Sequence, residues 1–445
     1  MKRTTALAGA LTRVSKSAYL ASTGWLLVSA VASRMAALAA TVVVSRVLMP
    51  ASFGRLAVLQ TAVTALAAIA GFGVGVALIK RVAEVRSTAP SLAGRYVGAG
   101  LLATAAGGLA VTALYLAAAH PVSLWLTRTS HGQSAVIASS GAILFTALLT
   151  STQGALAGME SFRRVAISQA LQSAVPSLGL IVGAELSGLN GALAGYSVAS
   201  AVAAGASLVM LRTALRGQGI PIARSFDPAV WRALLRLGAA AFAASLVVTS
   251  ALLFGQLILA YRSHGYAQVA LFNVSYRWQL GIMLLPGTLA SVLLPTMARL
   301  GAQGRDTASA RLFTLNARLT AIVSAVPALL LALLAPVVLG LSGKYYSHHL
   351  APFRILMLAA VPGALNNVLS SAGISLGAIR AWLVSDIVLA LAFFATAVTL
   401  IPGHGATGLA LAFLAGYVAT DAALIRPILR RLHVAARPRS DPRHN

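Results

Sequence analysis

The stretch "SRVLMPASFGRLAVLQTAVTALAAIAGFGVGVALIKRVAE" occupies residues 45–84. A proline-containing turn opens it, a continuous apolar run from 56 to 79 fills it, and Lys80 and Arg81 close it. Coiled as an α-helix, such a run crosses a hydrocarbon core of roughly 30 Å. Runs of the same kind recur along the whole chain. Between charged or turn-rich breaks they fall near 22–47, 56–79, 96–119, 134–157, 165–184, 189–211, 236–260, 267–296, 312–340, 351–373, 379–400 and 405–426, twelve in all. The chain of 445 residues is 58% hydrophobic and only 9% charged, with a mean hydropathy of +0.85. A soluble chain of this size would need far more polar surface. The runs are continuous rather than alternating, which excludes a β-barrel. The fold class is all-α, a polytopic membrane protein with about twelve transmembrane helices.

Lysine and arginine set the orientation, because basic loops stay on the cytoplasmic side. With the N-terminus inside, 26 of the 34 basic residues fall in cytoplasmic segments. Arg46, Arg55, Arg128, Arg262 and Lys344 fall outside, and Arg34, Arg277 and Arg354 lie within or at the ends of spans. This alternation supports twelve crossings and places both termini in the cytoplasm. The basic start "MKRTTALAGALTRVSKS" leads into a first span with no soluble domain behind it, which reads as an uncleaved anchor. The net charge of +26 is therefore mostly topology, scattered over seven segments that lie against anionic headgroups. It gives no reason to expect a nucleic-acid partner. The absence of cysteine excludes disulfides.

The longest loop lies mid-chain. Within it "SFDPAVWRALLRLG" predicts a short amphipathic helix on the inner membrane surface, capped by Asp227, with Pro228 in its first turn. Trp231, Leu234 and Leu235 would share one face, against Arg232 and Arg236. This elbow (218–235) divides an N-terminal six-helix bundle (1–217) from a C-terminal one (236–445). The halves look like repeats. "FGRLAVLQTAVT" (53–64) aligns with "YAQVALFNVSYR" (266–277) at an offset of 213, pairing Phe53 with Tyr266, Gly54 with Ala267, Gln60 with Asn273 and Thr64 with Arg277. Repeated halves place a substrate site at their interface near the membrane midplane.

The turn "LMPASFG" between two spans, and "LLFGQLILAYRSHGYAQVALFNVSYRWQ" followed by "VLLPTMARL", resemble the two corresponding hairpins of polysaccharide-lipid flippases. Those have a leucine-x-proline-x-x-phenylalanine-glycine turn, an arginine in a tyrosine-x-x-alanine-x-arginine stretch, matched by Arg277, and a proline closing that span, matched by Pro295. The resemblance implies the multidrug/oligosaccharidyl-lipid/polysaccharide exporter superfamily, whose two six-helix bundles form a V around a central cavity. One position departs: the residue before "LILAY" is commonly acidic in the family and is Gln256 here, which puts any role needing a carboxylate there in doubt.

The polar residues inside the spans give the candidate site. A mid-span arginine costs roughly 3 kcal/mol or more, and Arg277 and Arg34 are too deep for easy snorkelling. Asn273, Gly281 and Leu284 share Arg277's helical face. The acidic residues within spans, Asp386 and Asp421, sit toward the cytoplasmic ends of the last two, and Asp421 is expected to pair with nearby arginines. A cavity with arginines and without carboxylates attracts anions. Guanidinium binds phosphate oxygens bidentately, so Arg277 and Arg34 would meet a pyrophosphate, and Gln60, Asn273 and Gln256 the sugar hydroxyls. Arg354 completes the substrate-binding set, although its place at the outer end of a span also suits snorkelling onto backbone carbonyls.

These readings converge on an inner-membrane flippase for undecaprenyl-pyrophosphate-linked oligosaccharide, serving O-antigen or exopolysaccharide (lipopolysaccharide-type) biosynthesis, with no cofactor and no metal. Its partners would be the lipid-linked oligosaccharide, membrane lipids and, through the pathway, a polysaccharide polymerase and chain-length regulator. A lipid II flippase shares the substrate charge but has fourteen spans. A multidrug or cation antiporter of the same fold needs an embedded carboxylate that the first spans lack. A membrane enzyme of the pathway needs a large outer loop, and here those loops are short. "KYYSHH" (344–349) reads as an interfacial belt, "GFGVG" (71–75) as close helix packing and "GHG" (403–405) as a turn.

Overall fold

The computed structural model describes residues 31–129, 132–223, 226–262, 264–288, 290, 293, 296, 297, 303, 306–376 and 379–435. These are helical almost throughout, with no strand among them. The order is α1 (31–47), α2 (Pro50–Gly71), α3 (Val74–Val85), α4 (Pro90–Ala117), α5 (Ala119–Thr127), α6 (Gln133–Gly158), α7 (Phe162–Gly217), α8 (Pro228–Ala260), α9 (Gly265–Ile282), α10 (284–288), α11 (Asp306–Leu333), α12 (Ala335–Gly340), α13 (Lys344–Ser347), α14 (Ala351–Ser375), α15 (Ile379–His404) and α16 (Ala406–Ala435). Every predicted span falls on one or more of these helices. Residues 22–30 of the first span, and Pro295, lie outside the described residues. Among the described residues eight helices are long and apolar enough to cross a membrane.

One of the eight, α7, carries two predicted spans. Ser187 (φ −147°, ψ 26°) and Gly188 (φ 60°, ψ −134°) leave helical geometry, and the chain doubles back. Glycines four apart on each leg, in "GLIVG" (179–183) and "GALAG" (191–195), make this hairpin tight. A Cβ on Gly183 would lie 2.0 Å from the Gly191 carbonyl oxygen, and one on Gly195 2.1 Å from that of Gly179. The legs therefore touch backbone to backbone, as small residues four apart allow in lipid.

The second predicted span is also two helices. Phe72 (φ 41°) and Gly73 (φ 66°) adopt left-handed backbone between α2 and α3, a conformation that costs an L-residue roughly 1–2 kcal/mol. The break is held against α8. Phe72 stacks on Phe242, ring centroids 5.0 Å apart, and a Cβ on Gly73 would lie 2.1 Å from the Gly238 carbonyl oxygen. The "GFGVG" glycines do serve close packing, since Gly75 and Gly154 also meet backbone to backbone. Gly405 (φ 56°) makes the turn expected at "GHG".

The chain divides into two compact units. One takes the helices up to Leu48 with Arg55–Leu253, and the other takes Met49–Gly54 with the chain from Phe254 onward. The division falls inside α8. The core of the first unit gathers Leu78, Val82, Val97, Leu156, Leu211 and Leu215, with Val230 and Leu234 added from α8. Those last two correct the elbow. Asp227 does cap, its Oδ1 accepting from the Ala229 amide at 2.9 Å, and its Oδ2 pairs with Arg95 at 2.6 Å. The helix then runs unbroken to Ala260. Its apolar side packs on protein rather than on the membrane surface, with Trp231 against the core and Leu235 left exposed. Hydroxyl and amide pairs stitch the helices of this unit: Thr104 with Ser151 at 2.7 Å, Ser168 with Ser207 at 2.7 Å, and Gln153 to Gln172 at 2.9 Å. Each contributes about 0.6 kcal/mol in a bilayer.

In the second unit α16 packs against α15 and α14, and α9 against α14 and α16. Phe313, Val368, Leu424 and Ile428 centre its core. A run of rings links four helices, Phe254 to Phe394, Phe393 to Phe413, and Phe413 to Phe272, Tyr276 and Tyr417. The "KYYSHH" segment is only partly a belt, since Tyr346 is fully buried while His349 and Tyr345 stack at 5.0 Å.

Candidate functional site

The predicted site residues fall in both units. Arg34 and Gln60 belong to the first, and Gln256, Asn273, Arg277 and Arg354 to the second. Within the second unit the structure brings two together. α8 and α9 join through a short turn in which His264 has φ 54° and a Cβ on Gly265 would lie 2.3 Å from the Leu259 carbonyl oxygen. That hairpin sets Gln256 of α8 beside Asn273 of α9. Gln256 Nε2 donates to Asn273 Oδ1 at 3.4 Å, and Asn273 Nδ2 donates to the Val269 carbonyl at 2.9 Å.

Gln256 is 0% exposed and Asn273 8%, and Gln256 Oε1 has no hydrogen-bond partner. Gln256, expected to meet sugar hydroxyls, thus has Asn273 as its side-chain neighbour. Arg277 lies one turn beyond Asn273 on the same face of α9 and is half-buried. Two residues further along α9, Gln279 is fully buried with neither amide atom bonded.

Arg354 has a structural partner. Its Nε donates to the Ala332 carbonyl at 3.3 Å, near the end of α11, where the last carbonyls of a helix lack donors and a cation is favoured. Arg34 is exposed on α1 and Gln60 half-buried on α2. The α1 segment around Arg34 is pinned to α7, because Ser33 Oγ donates to the Gln169 carbonyl at 3.3 Å and Ser173 Oγ to the Ser33 carbonyl at 2.6 Å.

Two features escaped the sequence reading. The first is a cavity of about 370 Å³ inside the first unit, beside the α2–α3 break and lined in part by Gly73, Thr150, Gln153, Gln169 and Ser245. Amides inside apolar runs, in "STQGALAG" (151–158) and "SQALQS" (168–173), were the available signal. The second corrects Asp421. Its Oδ1 accepts from Asn366 Nδ2 at 3.3 Å, and no arginine pairs with it among the described residues. Asn366, on α14, faces it because α14 and α16 pack together, whereas the arginines of α16 lie further toward its C-terminus. No group of His, Cys, Asp and Glu able to hold a metal occurs among the described residues.

This arrangement of helices is shared with solved transporters. An inward-facing multidrug resistance MATE family transporter of the MOP superfamily superposes with a TM-score of 0.76 at 14% identity, over 91% of this chain and 95% of that one. A MOP superfamily transporter from Pyrococcus furiosus, described as having a binding pocket of reverse polarity that suggests a different function, gives 0.67 at 14% identity, over 93% and 95%. A variant of the Vibrio cholerae MATE transporter VcmN gives 0.65 at 14% identity, over 96% and 99%. No curated protein sequence matches the chain. The fold is thus the one those transporters share, and its long apolar helices are those of a multi-pass membrane protein. Residues 19–301 match the family described as polysaccharide biosynthesis protein, and with more than half its length inside that match the chain belongs to this family.

Proposed function

We propose that the protein flips an undecaprenyl-pyrophosphate-linked oligosaccharide across the inner membrane, from the cytoplasmic to the outer leaflet, for assembly of a surface polysaccharide such as O-antigen or exopolysaccharide. Both termini lie in the cytoplasm, and the halves alternate access to a site near the midplane. The observation that carries the reading is Arg277, half-buried within α9, one turn from the buried Asn273. The family supplies the polysaccharide context, and a guanidinium at that depth is suited to a phosphate-bearing substrate. A multidrug transporter shares the fold but moves cations, which an arginine-bearing site disfavours.

The test uses a flippase-deficient host and transport normalised to protein level. Arg277→Lys keeps the charge and loses the planar fork, so it retains part of the activity. Arg277→Ala loses both. With charge-assisted bonds worth about 1.5–3 kcal/mol each, losing two cuts transport at least about tenfold. Full normalised activity in Arg277→Ala would return this arginine to the scaffold, and export of cationic drugs in place of the precursor would favour the multidrug reading.

A further inference from the structure

The C-terminal end of α16 carries arginines that no carboxylate neutralises among the described residues. Arg426 and Arg430, one turn apart and exposed, line a wide-open slot of about 610 Å³ along one face of α16, together with Ala422, Ala423, Pro427 and Arg431 of the same helix. Arg431 has a structural task. Its Nη1 donates at 2.7 Å to the carbonyl of Leu376, just past the end of α14, where helical carbonyls lack donors. Arg426 and Arg430 have none of this kind. Among the described residues no ion pair includes any of the three, and Asp421, five residues earlier, is bonded to Asn366.

Like charges four apart on a helix repel, and an anion held between them would relieve that repulsion. Attraction of the helix C-terminus for cations explains basic residues in this part of α16, but not a slot between them. The slot's remaining wall is alanine and proline, small enough to admit a headgroup. Pro427 has no N–H, so the Ala423 carbonyl in the same wall lacks its helical donor and remains an acceptor for a ligand hydroxyl. α16 is long and apolar enough to cross a membrane as far as Arg431, which would put these groups near the headgroups.

We propose that this slot binds an anionic phospholipid whose phosphodiester sits between Arg426 and Arg430 and whose headgroup hydroxyl reaches the Ala423 carbonyl, the chemistry of phosphatidylglycerol. The site is independent of the substrate read for Arg277.

The full-length protein, reconstituted in phosphatidylcholine vesicles with trace spin-labelled phosphatidylglycerol or phosphatidylcholine, gives the preference from the immobilised fraction of each label. The wild type immobilises phosphatidylglycerol preferentially. Arg426→Gln with Arg430→Gln lowers that preference by about tenfold or more, the scale of two basic side chains at an anionic surface. Ala423→Leu fills the slot, leaves every charge in place and lowers it comparably. Preference surviving the double substitution overturns the site. Preference lost on removing the charges but kept in Ala423→Leu also overturns it, in favour of a diffuse surface potential. Displacement of the lipid by inorganic phosphate, beyond that by chloride at equal ionic strength, overturns the lipid assignment and gives the slot to free phosphate.

Discussion

Gln256 and Asn273 form a buried amide pair whose energetics can be worked out in advance. Gln256 has an acceptor without a partner and one donor contact at 3.4 Å, the long limit for such a bond. A buried acceptor left unmade costs about 1–3 kcal/mol, and a bond this long returns less than the ~1 kcal/mol of an ordinary one. Gln256→Met removes the orphan oxygen but strips Asn273 Oδ1 of its donor, exchanging one orphan for another. Stability should therefore change by less than about 1 kcal/mol. Asn273→Leu alone leaves both amide groups of Gln256 unpaired and destabilises by about 1–2 kcal/mol. The double substitution removes every unmatched atom of the pair and should exceed the wild type by about 1–3 kcal/mol, so the cycle is strongly non-additive. Unfolding of the purified variants in detergent measures this, and precursor transport in the flippase-deficient host is scored beside it. If the amides are retained for transport, the double variant is more stable and inactive. Additive stability changes would refute the pairing argument, and full transport in the stabilised double variant would show that the pair is scaffold only.

Gly73→Ala should lower stability by more than about 1 kcal/mol, from its left-handed backbone and the 2.1 Å approach to Gly238, whereas Gly71→Ala, with nothing within 4 Å, should stay within about 0.5 kcal/mol; equal effects would mean the α2–α3 break is not held by that contact. Tags at residues 220, 303 and 440 should report the cytoplasm and tags at 50, 187 and 403 the outside, and an outside signal at 303 breaks the twelve-span topology. Asp421→Asn should leave normalised precursor transport intact, because Asp421 is bonded to Asn366 at 3.3 Å; loss of transport at normal protein level would instead assign that carboxylate to proton or cation coupling.

The spans were legible because the bilayer imposes a local rule. About 20 consecutive apolar residues must coil to satisfy their own backbone, so the run at 56–79 announces a crossing whatever surrounds it. Asp227 and Pro228 were equally local, since a cap bonds an amide two residues away. The break at Phe72–Gly73 was not, because left-handed backbone there is held by Phe242 and Gly238, far along the chain, and an apolar sequence does not record which helix lies alongside. The elbow was misread for the same reason. Its pattern shows one apolar face, but only packing decides whether protein or lipid covers Val230 and Leu234. At the candidate site the sequence marked Arg277, Asn273 and Gln256 as polar groups too costly to be idle, yet left their contacts open. The α8–α9 turn decided that Gln256 meets Asn273, the packing of α14 on α16 decided that Asp421 meets Asn366, and the end of α11 decided that Arg354 meets a backbone carbonyl. Hydropathy is a property of one segment and can be read in order along the chain. The partner of a buried polar atom is a property of two segments, and only their packing brings it within hydrogen-bond reach.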